Sequence, residues 1–515
     1  MKLREAFARS VRCYRDEIAI ITDSGRSLTY GTLDQRSTRL SNALQQQIGD
    51  QRCAVLALNG LPAIESMLAN NKRGVGTVQL SYRAPVSELT RMVETAKAKA
   101  LLFDDANAET ALELLERADI SVAFHAGDRD IDHELVEPYE PTVTNADDDP
   151  DSPRPVGDEC GVLYTSGTTS VPKAVPFTQE QLWYGAIQVV MEHGIDETDT
   201  ALCTTPWYHM VTTDAWLYPH FLAGATVVLQ RSFDPTEALA LIEEYEVSGL
   251  LAVPTQLKKL ISVQRETALD VDSLEYIRTA GAIVTESLIE GASKHLTDQV
   301  YNTYGMTEAG PNLTFAHPSV QKEHPGTIGK ASFSWELRVV ETVSIDEHPD
   351  PETTVDAGKR GEIIARGPGM SAGYIDNPEA ESKTYFDGWL RTRDVATVDE
   401  DGYLYIVGRV DNMIVSGGEN VYPAEVESTL ERHPDVEEVC VFGLDDEQWG
   451  EVVAAVVVTD SDLTAEELDK YCFETESLAD FKRPREYAVT TNSLIRTETG
   501  TVNRSELIEK HFSHR

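Results

Sequence analysis

Residues 164–175 read YTSGTTSVPKAV. Thr165, Ser166, Thr168 and Thr169 set four hydroxyls around Gly167, and Lys173 follows a proline. Hydroxyls and backbone N–H groups beside one cation are the groups that hold anionic oxygens. A nucleotidase P-loop, G-x-x-x-x-G-K-[ST], needs a glycine directly before its lysine and a hydroxyl directly after it. Counted from Gly167 the sixth position is Pro172, and Ala174 follows Lys173, so that pattern is excluded. By itself the stretch is either a phosphate-binding turn or a Ser/Thr-rich surface turn.

It does not stand by itself. YGMTE at 304–308, RTRDVA at 391–396 and GRVDNMIVSGGENVYPAEVE at 408–427 follow in that order. With these motifs the chain resembles, over essentially its whole length, the acyl-adenylate-forming superfamily of acyl- and aryl-CoA synthetases, luciferases and peptide-synthetase adenylation domains. SGGEN, DEQWGE and LADFKRP look most like the benzoate-type CoA ligases, the 4-chlorobenzoate type among them.

The resemblance implies an ATP-dependent ligase. A carboxylic acid attacks the α-phosphate of ATP, giving an acyl-adenylate and pyrophosphate, and the CoA thiol then displaces AMP. Thr165, Ser166, Gly167, Thr168, Thr169 and Lys173 match the phosphate loop, with Ser170 and Ala174 where glycines are usual. Tyr304 matches the aromatic stacked on adenine, and Gly281 with Ala282 the backbone against its other face. Thr307 would touch the α-phosphate, and Glu308 would bind magnesium, a hard oxygen donor for a hard cation. Asp394 would accept the ribose hydroxyls, with Arg409 near ribose and phosphate. His209 in PWYHM would close the carboxylate end of an acyl pocket among Trp183, Tyr184, Met210, Val211, Ala280, Gly305 and Met306. Those bulky walls favour a compact acid, aryl or short- to medium-chain acyl, over a long chain. Gly417 and Gly418 would line the pantetheine channel beside Trp449, and Phe481 and Arg483 would meet the CoA nucleotide. Asp411 falls at the hinge about which the C-terminal domain of such enzymes turns between the two half-reactions.

One departure matters. The C-terminal lysine that bridges acid and phosphate in this superfamily is replaced by Thr501 in IRTETGTVNR, and Arg496 and Arg504 are the nearest cations. Removing a charge that stabilises developing negative charge costs on the order of 10² to 10³ in rate, roughly 3–4 kcal/mol. Two alternatives to a working CoA ligase therefore stay open. One is an adenylating enzyme that loads a carrier protein; the other is a ligase-like protein impaired in adenylation.

The elements that must position these groups alternate along the chain. CAVLAL, PAIESMLANNKRG and VGTVQL read strand, helix, strand, and CGVLYT and AVPF are strands flanking the opening loop. Thr178 caps the helix that follows. The alternation predicts an α/β chain: a large N-terminal domain (1–409) of mainly parallel sheets flanked by helices. Gly/Pro-punctuated strands, GTIGKA, WELRVVE, GEIIARG and GYLYIVG, predict a β-rich subdomain over about 325–409. A small, mobile α+β C-terminal domain (410–515) follows, ending in a polar tail.

The 515 residues include 44 Lys+Arg against 87 Asp+Glu, a net charge of −43 spread along the chain. Such a surface repels nucleic acid and anionic membranes. It is the composition expected of a halophilic protein, since concentrated salt shortens the range of self-repulsion; an acidic enzyme working at ordinary ionic strength is the alternative. Six cysteines at 13, 53, 160, 203, 440 and 472 show no C-x-x-C pair. They read as buried thiols in a reducing cytoplasm rather than zinc ligands or disulfides. No apolar run approaches the length of a membrane helix, and the charged N-terminus lacks the apolar block of a signal peptide. A cytoplasmic monomer or homodimer is expected.

Overall fold

The computed structural model describes residues 1–149, 155–165, 172–282, 284–475, 478–496 and 502–512. The chain forms two compact units, Met1–Leu337 with Ala365–Leu390, and Arg338–Ile364 with Arg391–Arg515. The boundary expected at 409/410 falls inside the second unit.

Two sheets build the first unit. The seven-stranded sheet runs in the order Val136–Pro138, Val122–Ala126, Ala98–Asp104, Arg52–Leu56, Thr77–Gln79, Glu159–Thr165, Lys173–Thr178. Its strands are parallel except the last pair. That exception is the hairpin carrying the opening stretch, with Thr165 opposite Lys173 across its base. The nine-stranded sheet has a parallel centre that includes Gly249–Leu251, Tyr276–Ala280 and Val300–Tyr304. Buried Val, Ile, Leu and Ala residues on both faces explain why these strands read as apolar runs rather than alternating ones. Thr178 does cap its helix: its hydroxyl accepts from Gln181 N–H, and the Gln181 side chain accepts from the Thr178 backbone N–H.

In the second unit, Gly450–Val458 pairs antiparallel with Glu438–Asp446 and parallel with Glu486–Thr490. Residues 452–458 are all buried. Trp389–Val398 pairs with Leu404–Arg409, setting Asp394 opposite Arg409. Arg391 and Glu362, both fully buried, form a two-point ion pair that anchors the RTRDVA strand.

Three expectations need correction. The C-terminal stretch is not merely a polar tail. It contains the strand Glu486–Thr490 and the helix Arg504–Phe512, whose Leu507, Ile508 and Phe512 pack on Phe442 and Leu494. Both are short and surrounded by polar residues, so periodicity alone did not mark them. GTIGKA contributes only Lys330–Ala331, because Gly326 and Gly329 turn the chain at φ +81° and +87°. Those two residues pair with Thr314–Ala316 of the nine-stranded sheet rather than with the later strands. Cys13 is exposed, since it lies at the C-terminal end of an amphipathic helix, while the other five thiols are buried.

Candidate active site

Ser166, Gly167, Thr168, Thr169 and Thr501 lie outside the described residues. What the structure describes of the phosphate loop is its stem. Thr165 Oγ1 is buried with no partner among the described residues. Lys173 opens the next strand and sets its ammonium 5.0 Å from the centre of the Tyr374 ring, a cation–π contact.

Tyr374 links that cation to Glu308. Its hydroxyl donates to Glu308 Oε1 at 2.6 Å. Glu308 sits in the short 3-10 turn Thr307–Ala309 directly after the strand Val300–Tyr304, with 4% of its surface exposed. The backbone carbonyl of Glu308 accepts from Ser371 N–H at 2.9 Å, and the Ser371 hydroxyl bonds to Tyr385. The stretch 370–374 thus clasps the YGMTE turn from two sides. Burial and the neighbouring Glu308 carboxylate push the Tyr374 phenol well above its ordinary range, so it stays a neutral donor. Tyr374 carries no charge and matches none of the sequence motifs above. Only its contacts with Lys173 and Glu308 give it a place.

Tyr304 ends its strand and packs with Met306 against Ala309, Leu313 and Trp335. Gly281 takes φ +84°, with open space where a side chain would stand, and Ala282 follows it, exposed. Gly305 must be glycine, because a Cβ there would lie 1.9 Å from the Pro311 carbonyl oxygen. Trp183 and Tyr184 meet edge-on at 5.1 Å, and Trp183, Met210 and Val211 join one hydrophobic cluster. Ala280 lies on the strand beside Thr303. His209 precedes the helical turn Met210–Thr212, and its backbone carbonyl accepts from Thr212 and Thr213 N–H. Burial, reinforced by Arg83, lowers the His209 pKa to about 4, so the imidazole is neutral near pH 7.

The second unit holds Asp394 and Arg409, the residues expected at the ribose. Asp394 Oδ1 accepts from Arg409 Nη1 at 2.8 Å, and Asp411 accepts from Arg409 at 3.1 Å and Arg393 at 3.3 Å. Arg393 takes φ +62°, next to an irregularity in pairing between Val395 and Ala396. The strained backbone turns its side chain toward Asp411. The first Arg of the motif is therefore an internal anchor, and the second is part of an ion-pair chain.

Gly417 (φ +61°) and Gly418 (φ +87°) form a tight turn, and Gly417 N–H donates to the Trp449 carbonyl at 2.8 Å. A Cβ on Gly417 would lie 2.8 Å from the indole, so the two pack face to backbone while Trp449 stays half exposed. Gly418, Tyr422, Arg360, Phe481 and Lys482 line a cavity of about 610 Å³. Arg483 instead pairs with Asp469 and Asp480, its guanidinium over Phe473.

A mainly parallel α/β scaffold in which one tyrosine links Lys173 to the buried Glu308 carboxylate is consistent with the adenylate-forming class that the motifs resemble. The chain belongs to the AMP-binding enzyme family: residues 7–375 match that family's model, and residues 425–501 match the AMP-binding enzyme C-terminal domain. It is 33% identical over 493 residues to a feruloyl-CoA synthase of Amycolatopsis sp, covering 95% of this chain and 94% of the relative. It is 30% identical over 505 residues to a 4-chlorobenzoate–CoA ligase of Arthrobacter sp, covering 96% and 92%. Among solved structures, the o-succinylbenzoate CoA synthetase of Bacillus subtilis in complex with its acyl-adenylate intermediate superposes with a TM-score of 0.83. Its sequence identity is 27%, with 98% of this chain and 97% of that one covered.

Proposed function

We propose that the protein is an AMP-forming acid–thiol ligase that activates a compact, aromatic carboxylic acid with ATP and transfers it to CoA. In the first step a carboxylate oxygen attacks the α-phosphorus, and the bond to the bridging oxygen breaks to release pyrophosphate. In the second the CoA thiol attacks the acyl carbon, its proton is lost, and AMP leaves. The observation that carries the reading is the Lys173–Tyr374–Glu308 arrangement, a cation and an oriented carboxylate held by one phenol.

Lys173 is suited to hold the departing phosphates and Thr307 the α-phosphate. Tyr304 and the open backbone at Gly281–Ala282 are suited to sandwich adenine. The metal fits the same carboxylate. Among the described residues no cluster of three acidic, histidine or cysteine side chains could cage an ion, and one carboxylate completed by substrate phosphates is how magnesium is commonly held. Glu308, oriented by Tyr374, would be that ligand; bound magnesium supplies charge neutralisation for the pyrophosphate. Neutral His209 can donate a hydrogen bond to the acid without trapping it as an ion pair.

Asp394 would exchange Arg409 for the ribose hydroxyls, and rotation about Asp411 would bring Gly417, Gly418, Trp449, Phe481 and Arg483 to CoA. With Thr501 in the lysine position, Lys173 and the metal carry the charge of adenylation. The acidic surface fits work at high salt inside a cell, and no helix among the described residues is long and apolar enough to cross a membrane. The test is acid- and ATP-dependent pyrophosphate exchange in molar KCl, followed by CoA-dependent AMP release. Exchange and release with an aromatic acid are expected; no exchange with any of a broad acid panel overturns the reading. Exchange without CoA-dependent release would point to a carrier protein as acceptor.

A further inference from the structure

Residues 370–375 form a strap across Glu308, and both ends of the strap are tied to the strand and helix that begin at Lys173. At the far end, Ile375 N–H donates to the Ala174 carbonyl at 2.9 Å, one residue from Lys173. At the near end, the Met370 carbonyl accepts from Gln181 Nε2 at 2.7 Å. Between these anchors Ser371 N–H reaches the Glu308 carbonyl, and the Tyr374 hydroxyl reaches Glu308 Oε1. The strap starts over bare backbone, since a Cβ on Gly310 would stand 2.7 Å from the Gly369 carbonyl oxygen. Of the two anchors, the one at Met370 is made by a side chain.

Gln181 makes it with an amide that is already engaged. It occupies the third position of the helix Gln179–His193, and its Oε1 accepts from Thr178 N–H at 2.8 Å as half of the capping box. A backbone N–H can only donate and a carbonyl can only accept, so the amide's orientation is settled: oxygen to the cap, nitrogen to Met370. A cap needs the oxygen alone, and glutamate meets that need as well as glutamine does. The nitrogen is the part that capping does not require, and it holds the strap.

We infer that Gln181 is a positioning residue for adenylation: by holding Met370 it fixes the strap, and through the strap the Glu308 carboxylate that faces magnesium; the inference rests on the ligase reading above. Gln181 touches no reacting atom in this role. Groups that orient a metal ligand directly change metal affinity by about 10- to 100-fold when removed. Gln181 acts one contact further out, so its effect is smaller.

The test uses the full chain in molar KCl and two variants. Gln181→Glu keeps the capping oxygen and sets an acceptor against the Met370 carbonyl, so it releases the strap and spares the cap. Thr178→Ala removes the cap hydroxyl and spares the amide. Calorimetry gives the ATP affinity with magnesium and with a chelator, and the ratio of the two measures what the metal adds. That ratio should fall about three- to tenfold in Gln181→Glu while the urea midpoint stays at the parent's value. Pyrophosphate exchange by the same variant should need about three- to tenfold more magnesium for half its maximal rate. Thr178→Ala should lower the urea midpoint and leave the ratio within about twofold of the parent's. A ratio unchanged in Gln181→Glu overturns the inference alone. So does an equal fall in Thr178→Ala, which would assign the effect to the helix end. A parent chain that exchanges pyrophosphate with no acid overturns the ligase reading and the inference with it.

Discussion

Glu308 and Asp394 are both nearly buried carboxylates assigned to nucleotide chemistry, and they are held in opposite ways. Glu308 has a neutral phenol as its donor, and the ring of that phenol carries the Lys173 ammonium. Asp394 ends a chain of charges, Asp394–Arg409–Asp411–Arg393. A neutral donor orients a carboxylate without cancelling its charge, which suits a metal ligand. An ion-pair chain balances charge and offers each member more than one partner, which suits a residue that changes partners during a cycle.

The comparison breaks most decisively at Lys173. Lys173→Ala should lower pyrophosphate exchange by on the order of 10² to 10³, roughly 3–4 kcal/mol, because no C-terminal lysine shares the load. Thr501→Lys in that background should recover part of the loss. An exchange rate unaffected by Lys173→Ala would mean another cation serves the phosphates. Next comes Tyr374→Phe, which keeps the ring under Lys173 and removes the hydrogen bond to Glu308. A bond to a charged group is worth about 1.5–3 kcal/mol, so exchange should fall by about 10- to 10²-fold, with a higher magnesium requirement. An unchanged magnesium dependence would show that the phenol does not orient the metal ligand.

A third buried carboxyl serves as the control. Asp214 is fully buried and neither oxygen has a partner among the described residues. Burial pushes its pKa well above the usual carboxylate range, so the folded state holds its proton where the unfolded chain has lost it. Stability from this group is therefore present below the unfolded pKa of about 4 and is lost as pH rises toward the folded value. Asp214→Asn, which mimics the protonated form, should leave the urea midpoint unchanged near pH 4 and raise stability by about 1–2 kcal/mol at pH 8. A variant less stable than the parent at pH 8 would mean that Asp214 has a partner, as Glu308 does.

How far these features could be read in advance depended on whether a residue's role is local. The strands flanking the phosphate loop, the Thr178 cap and the buried strand at 452–458 follow from periodicity and capping chemistry, which neighbouring residues settle among themselves. Lys173 and Glu308 stood out by their motifs. Tyr374 did not, because a phenol acquires its role only when a chain segment 66 residues later folds back to donate to Glu308. The inward arginine of RTRDVA was equally hidden: its partner Glu362 lies 29 residues earlier, on a separate strand. Arg504–Phe512 was missed for a different reason. Its apolar face is only Leu507, Ile508 and Phe512, too little to outweigh the polar residues around it.

The smallest effect on activity, and the sharpest separation of the two carboxylates, is expected at Asp411. Asn there keeps the shape but removes the charge that ties Arg409 and Arg393 together. Arg409 is 41% exposed along its side chain, so salt screens much of its share, but Asp411 and Arg393 are 3% and 13% exposed, so the change should also cost about 1–3 kcal/mol of fold stability, read separately by urea unfolding. If the chain of charges serves partner exchange, the effect on activity should not spread evenly over the cycle. Asp411→Asn should leave pyrophosphate exchange within about twofold while changing CoA-dependent AMP release by about two- to fivefold, since only the second half-reaction requires re-pairing around the hinge. The difference should shrink from 0.1 M to 1 M KCl as the Debye length falls from about 10 Å to about 3 Å. Equal effects on both steps at every salt concentration would place Asp411 in the static frame beside the Arg391–Glu362 pair, and the contrast with Glu308 would then be one of packing rather than of function.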